Sequence, residues 1–329
     1  MVDLDKPFEN YILGELDVKE ENKYIRIINS FDKCQREFNN SFQDNNKNEQ
    51  NENEIKKYCQ IKINNKNIPF SYSYKFTKKG KYKIQYSFKN YLTKTNYMFY
   101  DCSSLISLNF SNFQTENITN MNSMFLGCNS LINLDISNFN TKNVTDMSYM
   151  FYNCRSLREL NISQFDTRYV VKMNSMFFGC SSLSEIDLSS FITDNVENME
   201  EMFSGCSSLL NLDISHFNMK NTTCFNSMFY NCISLTRINL PYLNLSSNEE
   251  LTSVFYNCNS LTNINLDSIN FTNVINAIKM FENCSSLINL NLPSSMVIND
   301  NMDIFNMFEN CYSLKYKYIS KFDINQKKI

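Results

Sequence analysis

The sequence predicts an α/β solenoid in which each turn of the superhelix is a 26-residue unit of one strand and one short helix. Three observations predict it. A signature, Met-Phe-x-(Gly/Asn/Asp)-Cys-x-Ser-Leu, returns with its first residue at Met98, Met124, Met150, Met176, Met202, Met228, Val254 and Met280, and again at Met307 after a one-residue insertion. The Leu that closes each signature opens a Leu-x-x-Leu-x-Ile alternation, as at Leu131, Leu134 and Ile136, the period-two pattern of a strand with one buried face. Before the next signature, Val144, Met147, Met150 and Phe151 fall at helical spacing. Self-similarity at a fixed period of about 20–50 residues marks stacked supersecondary units, because one unit cannot bury its apolar face alone.

Each element of the unit has its own local reason. Asn133, Asp135 and Ser137 interleave with the strand's apolar residues, and Phe139 anchors the following turn. Asn143 is a suitable helix N-cap. The helix is expected to stop before Cys154, because the residue ahead of each column cysteine is Asp101, Gly127, Asn153, Gly179, Gly205, Asn231, Asn257, Asn283 or Asn310. These residue types tolerate a left-handed backbone and favour helix ends. The Ser before each Leu, from Ser104, Ser130 and Ser156 to Ser313, reads as a hydroxyl bonding backbone at the turn into the strand. About nine rungs at ~4.8 Å spacing would give a parallel sheet roughly 40 Å long.

A hydrophobic share of 43% is enough for a core and argues against global disorder. The start, Met-Val-Asp-Leu-Asp-Lys-Pro, lacks the basic and then apolar layout of a secretory signal. No apolar run reaches membrane-spanning length, so no insertion is expected. Nine of the 12 cysteines form one column: Cys102, Cys128, Cys154, Cys180, Cys206, Cys232, Cys258, Cys284 and Cys311. One thiol per rung does not converge on a metal, and no Cys-x-x-Cys pair exists. The column therefore reads as structural, each Cys a small buried hydrophobe. With no signal visible, this favours a reducing, cytoplasmic setting. The alternative is the cell surface by a non-standard route, for which Asn117 and Asn143 would be glycan acceptors. No phosphate loop, nucleophile elbow or paired His is present, and His216, the single histidine, reads as an exposed turn residue. Neither catalysis nor a cofactor nor a small-molecule substrate is expected.

The run Asn143-Val-Thr-Asp-Met-Ser-Tyr-Met-Phe-Tyr-Asn-Cys154, followed by Ser156-Leu157, resembles the BspA-like leucine-rich repeat, the 26-residue surface-protein repeat. The likeness covers residues 96–315. It loosens where Phe225, Leu251 and Ala277 replace the first Met, and where Leu243 and Ile269 replace the turn Phe. The resemblance implies a right-handed leucine-rich-repeat solenoid that binds other proteins, sometimes in adhesion, without catalysis.

Residues 1–95 read as an N-terminal β-rich cap, and 316–329 as a C-terminal tail or cap. Phe70, Tyr72, Tyr74 and Phe76 alternate, as do Tyr82, Ile84, Tyr86 and Phe88, around Lys78-Lys79-Gly80-Lys81. This pattern predicts a β-hairpin with its aromatic face over the first rung. Cys59, Ile61 and Ile63 predict a strand before it, whereas Tyr11–Leu13 and Tyr24–Ile28 fit strands or a short helix. A polar, flexible insert is expected at about 41–55.

Residues 55–100 carry eleven Lys and no Asp or Glu. Lys75, Lys78, Lys79, Lys81, Lys83 and Lys89 make a basic patch able to meet nucleic acid or an acidic partner. The aromatics are needed as core and Arg is absent there, so a solvated lysine face is the expected reading. The principal expectation is a protein partner on the strand face, where Asn133, Asp135, Glu159, Asn161, Glu185, Asp187, Asn211 and Asp213 stack in two outward columns. The competing reading is an amide ladder that serves structure alone.

Overall fold

The computed structural model describes residues 10–37, 49–241, 249–267, 271–293, 301–319 and 322. An N-terminal β region leads into 26-residue copies that hydrogen-bond one to the next. The molecule is a repeat protein built mostly of strands and turns, with few helices.

The N-terminal region holds β1 (Tyr11–Val18), β2 (Lys23–Arg26), α1 (Phe31–Glu37), α2 (Glu52–Tyr58), β3 (Cys59–Ile63), β4 (Lys66–Ile68), β5 (Ser73–Phe76) and β6 (Gly80–Phe88). The first copy contributes β7 (Leu105–Asn112) and the second β8 (Asn133–Asp135). One sheet runs β4-β3-β6-β1-β7-β8. β1 pairs antiparallel with β7, and β7 pairs parallel with β8. The N-terminal strands thus extend the first copy's sheet edge to edge, with β1 covering the edge of β7. Its aromatic side contributes too, with Tyr86 against Phe99 (ring centroids 5.3 Å apart) and Phe88 against Phe113 (5.4 Å).

The expected hairpin between residues 70–76 and 82–88 does not form. Both edges of β6 are taken, by β1 and β3, and β5 pairs with β2 instead. The hairpin that does form joins β3 to β4 through Asn64 and Asn65. Their φ values of +46° and +65° match the tight turn that suits the strand twist and that Asn accepts. The segments around Tyr11 and Tyr24, open between strand and helix from sequence, are strands. Of the polar insert expected at about 41–55, the last residues lie in α2 (Glu52–Tyr58), and residues 41–48 lie outside the described residues. The Arg36 guanidinium grips Glu52 with two 2.8 Å bonds, tying α2 to α1 and holding that carboxyl below its usual range.

The larger correction concerns the unit itself. No α-helix follows the strand of any described copy, and the signature is a chain of tight turns. In the third copy the amides of Val144, Met150, Tyr152 and Cys154 each donate to the carbonyl three residues back. Those of Met147, Tyr149, Phe151 and Asn153 donate to Lys172, Asn174, Met176 and Phe178 in the next copy. Alternate amides therefore bond within and between copies. The left-handed position ahead of each cysteine is real, with φ of +58° at Asn153 and +67° at Gly179. A second one precedes each column Met, as at Tyr149 (+58°) and Ser175 (+53°). A right-handed helix cannot pass through two such residues per unit.

Behind these turns the core is made of columns. Phe99, Phe125, Phe151, Phe177, Phe203, Phe229, Phe255 and Phe281 are buried, and neighbouring rings stack at 5.3–5.9 Å. The Met column and Leu157, Leu183, Leu209 and Leu235 line the same interior. At the far end, α3 (Tyr316–Ile319) follows the last signature, and Phe322 packs on Phe271 and Phe308 at 5.6 and 5.4 Å.

Candidate binding surfaces

The predicted strands form in some copies and not in others, and they make pieces and not one long sheet. β9 (Asn211–Asp213) pairs with β10 (Arg237–Asn239), and β12 (Asn263–Asn265) with β14 (Asn289–Asn291). β11 (Glu249–Glu250) and β13 (Val274–Asn276) pair on the opposite, signature side. No strand forms at Glu159–Asn161 or Glu185–Asp187. Glu159 and Glu185 occupy one outward column in adjacent copies, and Asp187 and Asp213 another, so like charges face each other across the missing ladders. Such pairs destabilise strand pairing.

Asn133, Glu159, Asn161, Glu185, Asp187, Asn211 and Asp213 are exposed, and Asp135 is half-buried. The structure divides them chemically. Asp135, Asn161, Asp187 and Asp213 each accept the amide two residues on with their own side-chain oxygen, at 2.9–3.2 Å. These are turn-capping bonds. Amides also bridge copies, from Asn109 to Asp135 (3.0 Å), Asn239 to Asp213 (2.9 Å) and Asn291 to Asn265 (2.7 Å). The ladder is thus present where the strands pair. The hydroxyl of Ser215, the Asn239 amide and the Ser215 N–H hold the Asp213 carboxyl down to about 2. Glu159 and Glu185 make no hydrogen bond or ion pair among the described residues. They are the free carboxylates of this face.

The basic patch lies apart, at the N-terminal end. All six of its lysines are exposed, but β1 supplies charges that the Lys-rich segment lacks. Asp17 is the register partner of Lys81, and Glu15 of Lys83. Lys75 faces Tyr24, its Nζ 6.0 Å from the ring centre.

The cysteine column is sealed. Cys128 donates its S–H to the carbonyl of Phe99 at 3.1 Å, and Cys154, Cys180, Cys206, Cys232, Cys258, Cys284 and Cys311 repeat that bond one copy further each time. Burial pushes the thiols far up, to about 12 for Cys180 and Cys232. All twelve cysteines are free, and only Cys224 is partly exposed. Among the described residues no three His, Cys, Asp or Glu side chains cluster as metal ligands would. Nor is any helix long and apolar enough to cross a membrane. His216 sits exposed after β9, with Nε2 3.1 Å from the Leu188 carbonyl. Asn143 does not cap a helix; its amide donates to the Glu116 carbonyl of the preceding copy at 2.8 Å. Of the serines expected to bond backbone before each Leu, Ser156 does so, at Asn129 O (2.7 Å), but the bond is not a general feature of the column.

A further surface is not among the residues the sequence marks. Tyr169, Val171, Asn195, Glu197, Asn221 and Thr223 line an open depression of about 440 Å³. Its legible signal is only that these residues form two columns at the 26-residue period.

Five overlapping segments, residues 36–159, 71–184, 129–237, 158–264 and 210–322, match the family described as Mycoplasma protein of unknown function, DUF285. The chain belongs to the DUF285 family. The overlaps follow from the repeat, since the family's unit spans several copies and can be laid on the array in more than one register. No curated protein shows significant similarity to the chain. Among solved structures, the chain is similar to a leucine-rich repeat protein from Bacteroides ovatus. That match has 18% identity, covers 75% of this chain and 72% of that one, and has a TM-score of 0.33.

Proposed function

We propose that this DUF285 chain is a non-enzymatic interaction scaffold that takes a protein partner on the strand face. In this reading the copies form one BspA-like leucine-rich-repeat solenoid of about nine rungs, capped by the N-terminal sheet. The observation that carries the proposal is the state of Glu159 and Glu185. They stand exposed and unpartnered on a stretch of strand face where two successive copies form no strand, between the paired strands β7–β8 and β9–β10. Unspent carboxylates and unpaired backbone groups offer a partner both charge and hydrogen bonds, so the partner is expected to present a basic, extended segment. No cofactor, small-molecule substrate or nucleic acid enters the proposal. The sealed, unpaired thiols suit a cytoplasmic setting.

Affinity purification of the full chain beside a Glu159→Lys/Glu185→Lys variant tests it. These positions are preferable to Asp135 and Asp213, whose carboxylates also cap turns. A protein retained by the wild type and lost by a variant of unchanged melting temperature supports the proposal. Equal retention by both contradicts it.

A further inference from the structure

The depression around Tyr169 carries an inference independent of the strand face. Its wall is the column Tyr169, Asn195 and Asn221, and its floor the column Val171, Glu197 and Thr223. The floor is rigid, because each of its residues donates its backbone amide to the copy before: Val171 to Thr145, Glu197 to Val171, and Thr223 to Glu197, all at 2.9 Å. The two asparagines are fixed as well. One N–H of Asn195 donates to the Arg168 carbonyl and one of Asn221 to the Asp194 carbonyl, both at 2.6 Å. Each amide retains its oxygen and second N–H, a donor–acceptor pair matched to two neighbouring hydroxyls. Glu197 is exposed and adds an acceptor. Tyr169 is 61% exposed, an aromatic plate with a polar tip and no packing role that explains it.

We propose that this depression binds a neutral saccharide, with Tyr169 stacking on a sugar ring face and Asn195, Glu197 and Asn221 holding its hydroxyls. A rigid, shallow, amide-rich trough beside an exposed ring suits a ligand that is apolar on one face and hydroxylated at its edges. The same columns continue toward the N-terminus as Asn143, Asn117 and Tyr91 on the wall and Thr145, Thr119 and Thr93 on the floor. Tyr91 is again exposed, at 54%. Copies spaced by ~4.8 Å advance by about one pyranose ring each, so the track fits a linear glycan lying along the array.

The test is titration calorimetry of the full chain with linear cello-, chito-, xylo- and manno-oligosaccharides. At least one is expected to bind, with affinity reduced about tenfold or more by Tyr169→Ala and by Glu197→Gln, each a change at an exposed side chain. Tyr91→Ala is expected to weaken only the longer oligosaccharides. Glu159→Lys/Glu185→Lys is expected to leave glycan binding unchanged, which separates this inference from the protein-partner reading. Absence of binding by every member of the panel at millimolar concentration overturns the proposal. So does affinity untouched by both groove variants. Binding of an oligo-arginine peptide in place of the sugars, lost with salt and in Glu197→Gln, also overturns it and assigns the trough to a cationic segment.

Discussion

The signature side and the strand side of each copy come from the same 26 residues, yet they are held together differently. On the signature side, alternate amides bond from copy to copy from Tyr97 to Asn283, and the Phe rings and S–H groups repeat the pattern beneath. On the strand side, the ladder lapses at Glu159–Asn161 and Glu185–Asp187, resumes at β9 and breaks again between β10 and β12. Like charges occupy the outward positions at the acidic gaps, whereas the break between β10 and β12, where Arg237 and Asn239 precede Asn263 and Asn265 in the columns, has no such pair. The signature side spends its polar groups on the neighbouring copy, whereas the strand side carries like charges in register and leaves two of them free. The signature side serves cohesion, and the strand side carries carboxylates that the array itself does not use.

The largest expected effect comes from cutting the cohesive side. Phe177 is fully buried and stacked between Phe151 (5.6 Å) and Phe203 (5.4 Å). Phe177→Ala should cost about 3–5 kcal/mol in denaturant unfolding, the usual range for emptying a large core site. An exposed change such as Glu185→Ala should stay within about 0.5 kcal/mol.

The thiol column gives the next effect, with a defined sign. Column thiols are raised in the folded state, to about 12 for Cys180 and Cys232, against ~8.5 when unfolded. The folded chain therefore binds more protons above the unfolded value, and stability should be fully present below about pH 8 and fall as pH rises from there toward 12. Thiol titration of the folded protein near pH 8 should label Cys224 first and leave the column unreactive until unfolding. Rapid labelling of the column would contradict the sealed interior.

The smallest effect sharpens the comparison from the other side. Glu159→Gln/Glu185→Gln removes the like-charge pair and should stabilise the chain by a few tenths of a kcal/mol, within the ~0.2–1 kcal/mol range of cross-strand pairs. No gain at low salt would mean that charge does not open the ladder.

Much of this contrast was legible in the sequence, and its misreadings share one cause. The cysteine column, the buried Met, Phe and Leu columns and the left-handed residue before each Cys all follow from the repeat. The helix does not, because Val144, Met147 and Met150 are spaced by three, which successive tight turns satisfy as well as a helix. The deciding residue, the left-handed one before each Met, is variously Tyr149, Ser175, Glu201, Lys279 or Asn306. The serines and Asn306 of this position favour turns only weakly as a set, Tyr, Glu and Lys carry no turn signal, and the position is held by bonds to the next copy, which no single window contains. The cap misled for a similar reason. Lys78-Lys79-Gly80-Lys81 looks like a hairpin turn, but β1 and β3 claim both edges of β6. The same pairing brings Asp17 and Glu15 beside Lys81 and Lys83, across a sequence distance that hides them.

Native-state amide hydrogen exchange, resolved by residue, tests the central contrast most directly. The account predicts strong protection, approaching that of global unfolding, at Tyr149, Phe151, Asn153, Ser175, Phe177 and Gly179, whose amides reach into the next copy. It predicts fast exchange at Glu159, Asn161, Glu185 and Asp187. Equal protection on the two sides, or faster exchange on the signature side, would contradict it.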